Sequence, residues 1–361
     1  MLPTFNEARV LDRLLERCTS FTYPRYEVLL ADDSTDSVCL ASLKRWEEHP
    51  KVRVLRRDSR LGWKAGALNL ALEKMDGRTT HILVLDADFT PEGTLIERML
   101  DRFSDERTAA VVGYQDHSLN ADENWVTKAV HLFSTAGYRV EMAARAALRT
   151  MLQVTGSVIM VRADVLREFR WEPCITEDWE LTLRLYLNGY KIRYDESLRV
   201  PAECPSTVKR ALRQQVRWSL GHMQVVRRYL VDVLRSPCMS TREKVEFLSL
   251  GTYYGQSIFI ILGSALSVLW LLGASSSMAA SGFLALLGIG LYGLSLLTWF
   301  TTALFLEGSL RETAWIPYAI LLGLVAAPFA AWGTLKGLGG RGSYWHRTYK
   351  TGRVTRPTLI H

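Results

Sequence analysis

The sequence predicts an α/β domain built on a doubly wound sheet, followed by interfacial and transmembrane α-helices. Two observations predict this. Up to about residue 242, short runs rich in Val, Ile and Leu alternate with helical patterns among charges and turn residues. From 247 to about 335 charges nearly vanish, apart from the patch at 307–312. Alternating strands and helices imply a layered α/β sheet, whereas a helix needs roughly 20 apolar residues to cross a bilayer.

Taken in order, Leu2-Pro3-Thr4 is a strand shorter than a central strand should be. The runs 27–31, 52–55, 82–85 and 109–113 are continuously apolar, which suits strands buried on both faces of a parallel sheet. Helical patterns at 7–18, 37–48, 63–75 and 91–103 separate them. In such sheets the ligand lies beyond the carboxyl ends of the strands. A further helical pattern at 179–187 is followed by Gly189, a helix stop. The stretches 247–272, 283–306 and 315–335 lack the polar face of a core helix and read as membrane spans. The chain thus divides into a catalytic domain at 1–205, amphipathic interface helices at 206–246, transmembrane helices at 247–335 and a basic tail at 336–361.

The net charge is +7, and much of the excess flanks the apolar segments, at Arg235, Arg242, Lys244 and within 336–356. Juxtamembrane basic clusters contact anionic lipid headgroups and mark the cytoplasmic side. No module interleaves basic and aromatic residues, so a nucleic-acid partner is excluded. The five cysteines Cys18, Cys39, Cys174, Cys204 and Cys238 form no CxxC pair. That argues against a disulfide framework or a zinc site and fits a reducing cytoplasm. No charged-then-apolar leader precedes the first strand, so the catalytic domain is expected in the cytoplasm.

Five motifs carry chemistry. Thr4 to Glu7 and Asp32-Asp33-Ser34-Thr35-Asp36 end the first two strands. Their carboxylates and hydroxyls suit a base and ribose, and Thr35 or Asp36 would also cap the next helix. Arg60 to Asn69 is a Gly-containing turn running into a helix, with Lys64 in or near the first turn. A helix N-terminus with a nearby cation suits phosphate, and a cation there has no dipole reason of its own.

Asp86-Ala87-Asp88 closes the run 82–85. Residues two apart on an extended segment point the same way, and Mg²⁺ held by one or two carboxylates plus phosphates is the usual arrangement for diphosphate chemistry. Thr176-Glu177-Asp178 opens a helix. Acids are ordinary there, yet Asp178 also suits a general base toward an attacking hydroxyl. Gln214, Arg217 and Trp218 share one helix face. Arg binds diphosphate oxygens in a fork and Trp offers a flat surface to a sugar. The neighbouring Lys209, Arg210 and Arg213 equally suit a helix on a membrane surface.

In this order the five motifs resemble those of the family 2 glycosyltransferases with a GT-A fold, most closely membrane-bound synthases of the cellulose, hyaluronan and mannan type. The resemblance covers nearly the whole chain and rests on Asp33, Asp86-x-Asp88, Thr176-Glu177-Asp178 and Gln214-x-x-Arg217-Trp218. It implies that Thr4, Glu7 and Asp33 bind the donor nucleoside and Lys64 its diphosphate. Asp86 would hold nucleotide and metal, with Asp88 the direct ligand of Mg²⁺ or Mn²⁺. Asp178 would be the catalytic base beside Glu177. Gln214 and Arg217 would bind the leaving diphosphate. Trp218, Thr155 and Gly156 would line the acceptor site, and Trp345-His346-Arg347-Thr348 resembles the family's cytoplasmic tail.

The implied activity is inverting transfer from a nucleotide diphosphate sugar, expected to be a UDP-sugar, to a growing polysaccharide at the membrane. The alternative is a single transfer to a lipid such as ceramide, diacylglycerol or polyprenyl phosphate. A non-catalytic relative would not keep Asp86, Asp88, Asp178 and Arg217 together.

Two departures stand out. Related synthases carry membrane helices before the catalytic domain, and with the short first strand this suggests an upstream segment or a reduced architecture. Three spans after a cytoplasmic domain would also put the tail outside, although Lys336, Arg341, Arg347, Lys350 and Arg353 belong in the cytoplasm. One apolar stretch is therefore expected to be interfacial or re-entrant, or a span is unaccounted for.

Overall fold

A computed structural model describes residues 1–272, 279–340 and 347–356. The chain opens with β1 (Leu2–Thr4), α1 (Leu11–Thr19), β2 (Val28–Asp32), α2 (Ser37–Glu47), β3 (Val52–Arg56) and α3 (Trp63–Lys74). β4 (His81–Val84), α4 (Leu95–Leu100) and β5 (Thr108–Asp116) follow. Next come α5 (Trp125–Ala136), a π-helical stretch (Gly137–Met142), α6 (Ala143–Ala147), β6 (Ile159–Arg162), α7 (Ala163–Phe169), α8 (Glu177–Leu187) and β7 (Lys191–Pro201).

β1, β2 and β3 pair in parallel, and a second sheet has the order β4-β6-β5-β7. The two meet at the first residue. The Met1 ammonium donates to Leu83 O at 2.7 Å, and Leu85 N–H donates to Met1 O at 3.3 Å.

The parallel pairing that the apolar runs suit holds for β1, β2 and β3, whereas β6, which none of those runs marked, is antiparallel to β4 and β5. The cause is local. Residues 155–157 return to the carboxyl end of β5, where Gln115 Nε2 donates to Thr155 O at 2.6 Å and Ser157 O at 2.8 Å. The chain therefore re-enters the sheet from that end and must run backwards. Alternate residues serve opposite faces. Val112 and Ile159 pack with Leu68 and Leu181, whereas Val111 and Met160 pack with Leu14 and Leu95.

α9 (Val208–Arg235) and α10 (Thr241–Gly251) lead to a 3₁₀ turn (Tyr253–Gly255), then α11 (Gln256–Leu271) and α12 (Ala279–Leu306). A second 3₁₀ turn (Leu310–Trp315) leads into α13 (Ile316–Leu338). Among the described residues three helical stretches, Tyr253–Leu271, Gly282–Leu306 and Leu310–Leu338, are long and apolar enough to cross a membrane. The apolar stretch beginning at 247 splits between two elements. Phe247 belongs to α10 and is fully buried, its ring parallel to that of Trp179 at 6.2 Å.

α13 lies along α9 because two glycines allow it. A Cβ at Gly333 would collide with Ser219 and stand 2.8 Å from Val216 O, and one at Gly337 would stand 2.6 Å from Leu220 O. Ahead of α13, Glu307 pairs with Arg139 at 3.0 Å and Arg199 at 2.9 Å, and Glu312 with Lys128 at 3.3 Å. After it, residues 347–356 return to the α/β domain. Arg347 donates to Phe5 O at 3.0 Å, and the N–H groups of Thr351 and Gly352 donate to Glu203 at 2.8 and 3.2 Å. Arg341, Trp345 and His346 lie outside the described residues.

Candidate active site

One cavity of about 590 Å³ opens at the carboxyl ends of the strands, and every residue to which the resemblance assigns a donor, acceptor, metal or catalytic role lines it, whereas Asp32, Ser34, Thr35 and Asp36 do not. The first wall comes from β1 and β2. Thr4 Oγ1 donates to Asp32 Oδ1 at 2.7 Å, and Asp32 also accepts from Ser34 N–H at 2.9 Å and Arg56 at 2.9 Å. Asp32 thus pins the two strand ends, and the Thr4 hydroxyl is spent on that pin. Asp33 accepts from both Nε, at 2.8 Å, and Nη2 of Arg57. Arg60 lies over the Phe5 ring at 3.4 Å. The cap of α2 is Asp36, which accepts from Val38 N–H at 3.3 Å.

The centre is a cluster of alternating charge. Lys64, in the first turn of α3, contacts Asp86 Oδ1 at 2.7 Å and Glu177 Oε1 at 3.6 Å, and donates to Gly156 O at 2.8 Å. Burial opposes its charge, but Asp86 and Glu177 outweigh burial and hold it above the ordinary lysine range. Asp88 Oδ2 accepts from Glu203 N–H at 3.0 Å and from Lys350 Nζ at 2.6 Å. Burial would raise the Asp88 pKa, and Lys350 outweighs it, leaving it depressed. The Asp-x-Asp pair is therefore held by two different lysines. Glu7 lies 3.5 Å from Arg347, and burial raises its pKa to about 8.

Glu177 and Asp178 open α8 as expected. Burial pushes Glu177 up to about 7 and raises Asp178 as well, against the pull of Lys64. Asp178 Oδ1 accepts from Trp179 N–H at 2.8 Å. Its other oxygen faces Gly156, which has φ +72° and where a Cβ would stand 3.0 Å from Oδ2. Glycine is required there on both counts. On α9, Gln214, Arg217 and Trp218 face the same cavity. Burial works against the Arg217 charge, and Glu177, Asp178 and Asp86 favour it.

Sequence reasoning did not find Arg57, Gln115 or Lys350. Arg57 follows the end of β3 and Gln115 lies near the end of β5, and no motif marks either. The resemblance of residues 345–348 pointed at the tail, but nothing local singled out Lys350.

Among the described residues no group of three or more His, Cys, Asp or Glu side chains is placed to hold a metal. Asp86 and Asp88 offer two carboxylates, the complement that Mg²⁺ takes when substrate phosphates complete its shell.

The family described as glycosyltransferase like family 2 matches residues 1–221. Probable glucomannan 4-beta-mannosyltransferase 7 of Oryza sativa subsp. japonica is 28% identical over 257 residues, 68% of this chain and 44% of that protein. Glucomannan 4-beta-mannosyltransferase 2 of Arabidopsis thaliana is 27% identical over 254 residues, 68% of this chain and 48% of that protein. The chain thus spans about half the length of the curated relatives it matches.

Among solved structures, the mannosyltransferase PcManGT of Pyrobaculum calidifontis, in complex with GDP-Man and Mn²⁺, is 18% identical with a TM-score of 0.59. The alignment covers 90% of this chain and 85% of that one. S. aureus TarS 1-349 in complex with UDP-GlcNAc is 14% identical with a TM-score of 0.52, covering 96% and 92%. These two likenesses concern the fold, a GT-A-type α/β domain. With more than half of its length matched and the motifs gathered around one cavity, the chain belongs to glycosyltransferase-like family 2.

Proposed function

We propose that this chain is an inverting mannosyltransferase that moves mannose from GDP-mannose to a sugar hydroxyl of a mannan-type glycan at a membrane. The donor differs from the UDP-sugar expected from the motifs. What favours GDP-mannose is that the curated relatives are glucomannan mannosyltransferases and that PcManGT is in complex with GDP-Man.

The observation that carries the reading is the placement of Asp178. It is a half-buried carboxylate with a raised pKa, flanked by Lys64 and Arg217 and lining one cavity with Trp218. Asp178 takes the acceptor hydroxyl proton as that oxygen attacks the anomeric carbon. No side chain needs to form a covalent intermediate, so the displacement inverts. Lys64, Gln214 and Arg217 hold the diphosphate, and Thr4, Glu7 and Asp33 face the nucleoside. Thr155, Gly156 and Trp218 support the acceptor sugar. Asp86 and Asp88 would hold Mg²⁺ or Mn²⁺, which when bound neutralises charge on the leaving diphosphate.

For the membrane arrangement we read α11 and α12 as a crossing hairpin and α13 as a helix lying along the catalytic domain. The pairs made by Glu307 and Glu312 before α13, and the contacts of Gly337 after it, support this. The basic tail then shares the cytoplasmic side with the sheet, as its charges favour.

The test is GDP release by the full chain in nanodiscs, with Mg²⁺ or Mn²⁺, against a panel of GDP- and UDP-sugars, with products read by mass spectrometry. Turnover of GDP-mannose is expected. Turnover of a UDP-sugar alone overturns the donor assignment.

A further inference from the structure

The cavity continues past Trp218 into the apolar helices. Tyr254 of the 3₁₀ turn, Ile260 of α11, Tyr292 and Leu296 of α12, and Leu324 of α13 extend its wall. Leu324 is 51% exposed, and the window of α12 is only 6% buried within the protein. This end of the cavity therefore opens sideways, toward whatever surrounds the helices. For apolar helices of this length that surrounding is lipid.

Charge separates the two ends. Arg60, Lys64, Arg347 and Lys350 line the donor end. Among the described residues, the cation lining the far end is Arg145, which pairs with Glu141 at 3.2 Å and with Glu246 at 2.5 Å. Arg217, between the ends, faces Glu177 and Asp178. A lipid phosphate entering from the side would have to break the Arg145 pairs or lie against carboxylates. Hydroxyls and the apolar faces of sugar rings suit aromatic walls such as Trp218, Tyr254 and Tyr292 without that cost.

We propose that the acceptor is a neutral glycolipid. Its sugar head lies beside Asp178 and Trp218, and its alkyl chain leaves the cavity between α11, α12 and α13 into the bilayer. This rests on the mannosyl-transfer reading and adds the class of acceptor. The acceptor oxygen bonds to the anomeric carbon, the bond from that carbon to the diphosphate breaks, the hydroxyl proton goes to Asp178, and GDP carries away the electron pair.

The experiment uses the full chain in nanodiscs with GDP-mannose and Mn²⁺. Acceptors are mannobiose, octyl and dodecyl mannoside below their critical micelle concentrations, and a polyprenyl phosphate. Because each buried methylene adds several-fold in affinity, dodecyl mannoside should exceed mannobiose by at least about tenfold in kcat/KM. Simple partition into the bilayer could give the same preference, so the ratio is also read in Leu324→Trp and Ile260→Trp, which narrow the lateral opening. The ratio should fall in both, and since it is taken within one preparation, any loss of folded protein cancels. A ratio unchanged in both variants, equal use of mannobiose, or preference for the polyprenyl phosphate overturns the proposal. Failure of GDP-mannose with every acceptor, alongside turnover of a UDP-sugar, instead strikes the donor reading beneath it.

Discussion

Replacing Asp178 with Asn removes a proton acceptor and keeps the shape. Asp178 Oδ1 accepts from Trp179 N–H at 2.8 Å, a bond an amide oxygen also accepts. Its backbone carbonyl accepts from Thr182 Oγ1 at 2.8 Å, which the change leaves alone. The first turn of α8 should therefore survive. Lys64 and Arg217 lose one opposing charge but keep Asp86 and Glu177, so the diphosphate still meets two cations. A positioned general base contributes roughly 10²–10⁴-fold, about 3–5 kcal/mol of barrier. Asp178→Asn should lower kcat by that factor while GDP-mannose binding, read by calorimetry with Mn²⁺, persists. The assay is GDP release with a saturating acceptor. A variant retaining more than about a tenth of the wild-type rate would refute the assignment, because that loss is smaller than general-base catalysis supplies. Equal loss of binding and rate would make Asp178 a donor ligand instead.

Further predictions concern the same cluster. Burial pushes Glu177 up to about 7 and raises Asp178 as well; the base works deprotonated, so kcat/KM should fall on the acid side at a pH above the ordinary carboxylate range of about 4, and an acid limb at about 4 would contradict this. Gly156→Ala puts a Cβ on a φ of +72° beside Asp178; it should cost about 1–2 kcal/mol of stability, read by thermal unfolding, and lower kcat as well. Lys350→Ala removes the ammonium that sits 2.6 Å from Asp88; Mn²⁺ binding, titrated by electron paramagnetic resonance, should tighten, and an unchanged affinity would show that the tail does not bear on that carboxylate.

How much was legible follows from how local each signal is. Asp86 and Asp88 close a buried apolar run, Asp178 opens a helix, and Gln214, Arg217 and Trp218 stand on one face, so each was readable within a few residues. β6 was not read as a strand, and its direction could not have been, because Ile159–Arg162 reads the same either way. Its reversal comes from where residues 155–157 are anchored. β7 was missed although Ile192, Tyr194, Leu198 and Val200 are buried. The polar Asp195-Glu196-Ser197 interrupts their alternation at an irregularity in the pairing with β5. Phe247 was counted toward the membrane because hydropathy cannot distinguish a lipid neighbour from Trp179. Lys350 was invisible because its partner lies 262 residues away.

That long-range pair also bears on the membrane arrangement. Lys350 contacts Asp88, which supports the proposed arrangement in which the tail and the sheet share one side of the bilayer. In that arrangement the segments between α10 and the tail cross an even number of times, although among the described residues three helices are long enough to cross. α12 ends at Leu306, and the next residue, Glu307, pairs with Arg139 and Arg199 of the α/β domain, so in the proposed arrangement the excursion through α11 and α12 closes there. α13 begins and ends against the same domain and α9, through Glu312 and Gly337. Its small residues Gly323, Gly333 and Gly337 face protein, whereas Leu321, Leu324, Val325, Phe329 and Trp332 are exposed. In the proposed arrangement α13, apolar on its outer side yet tied to the catalytic domain at both ends, has lipid beside it without traversing the bilayer. Such a helix meets the even count, keeps the tail's cations on the side where they are favoured, and places Leu324 where an acceptor arriving from the membrane would pass it.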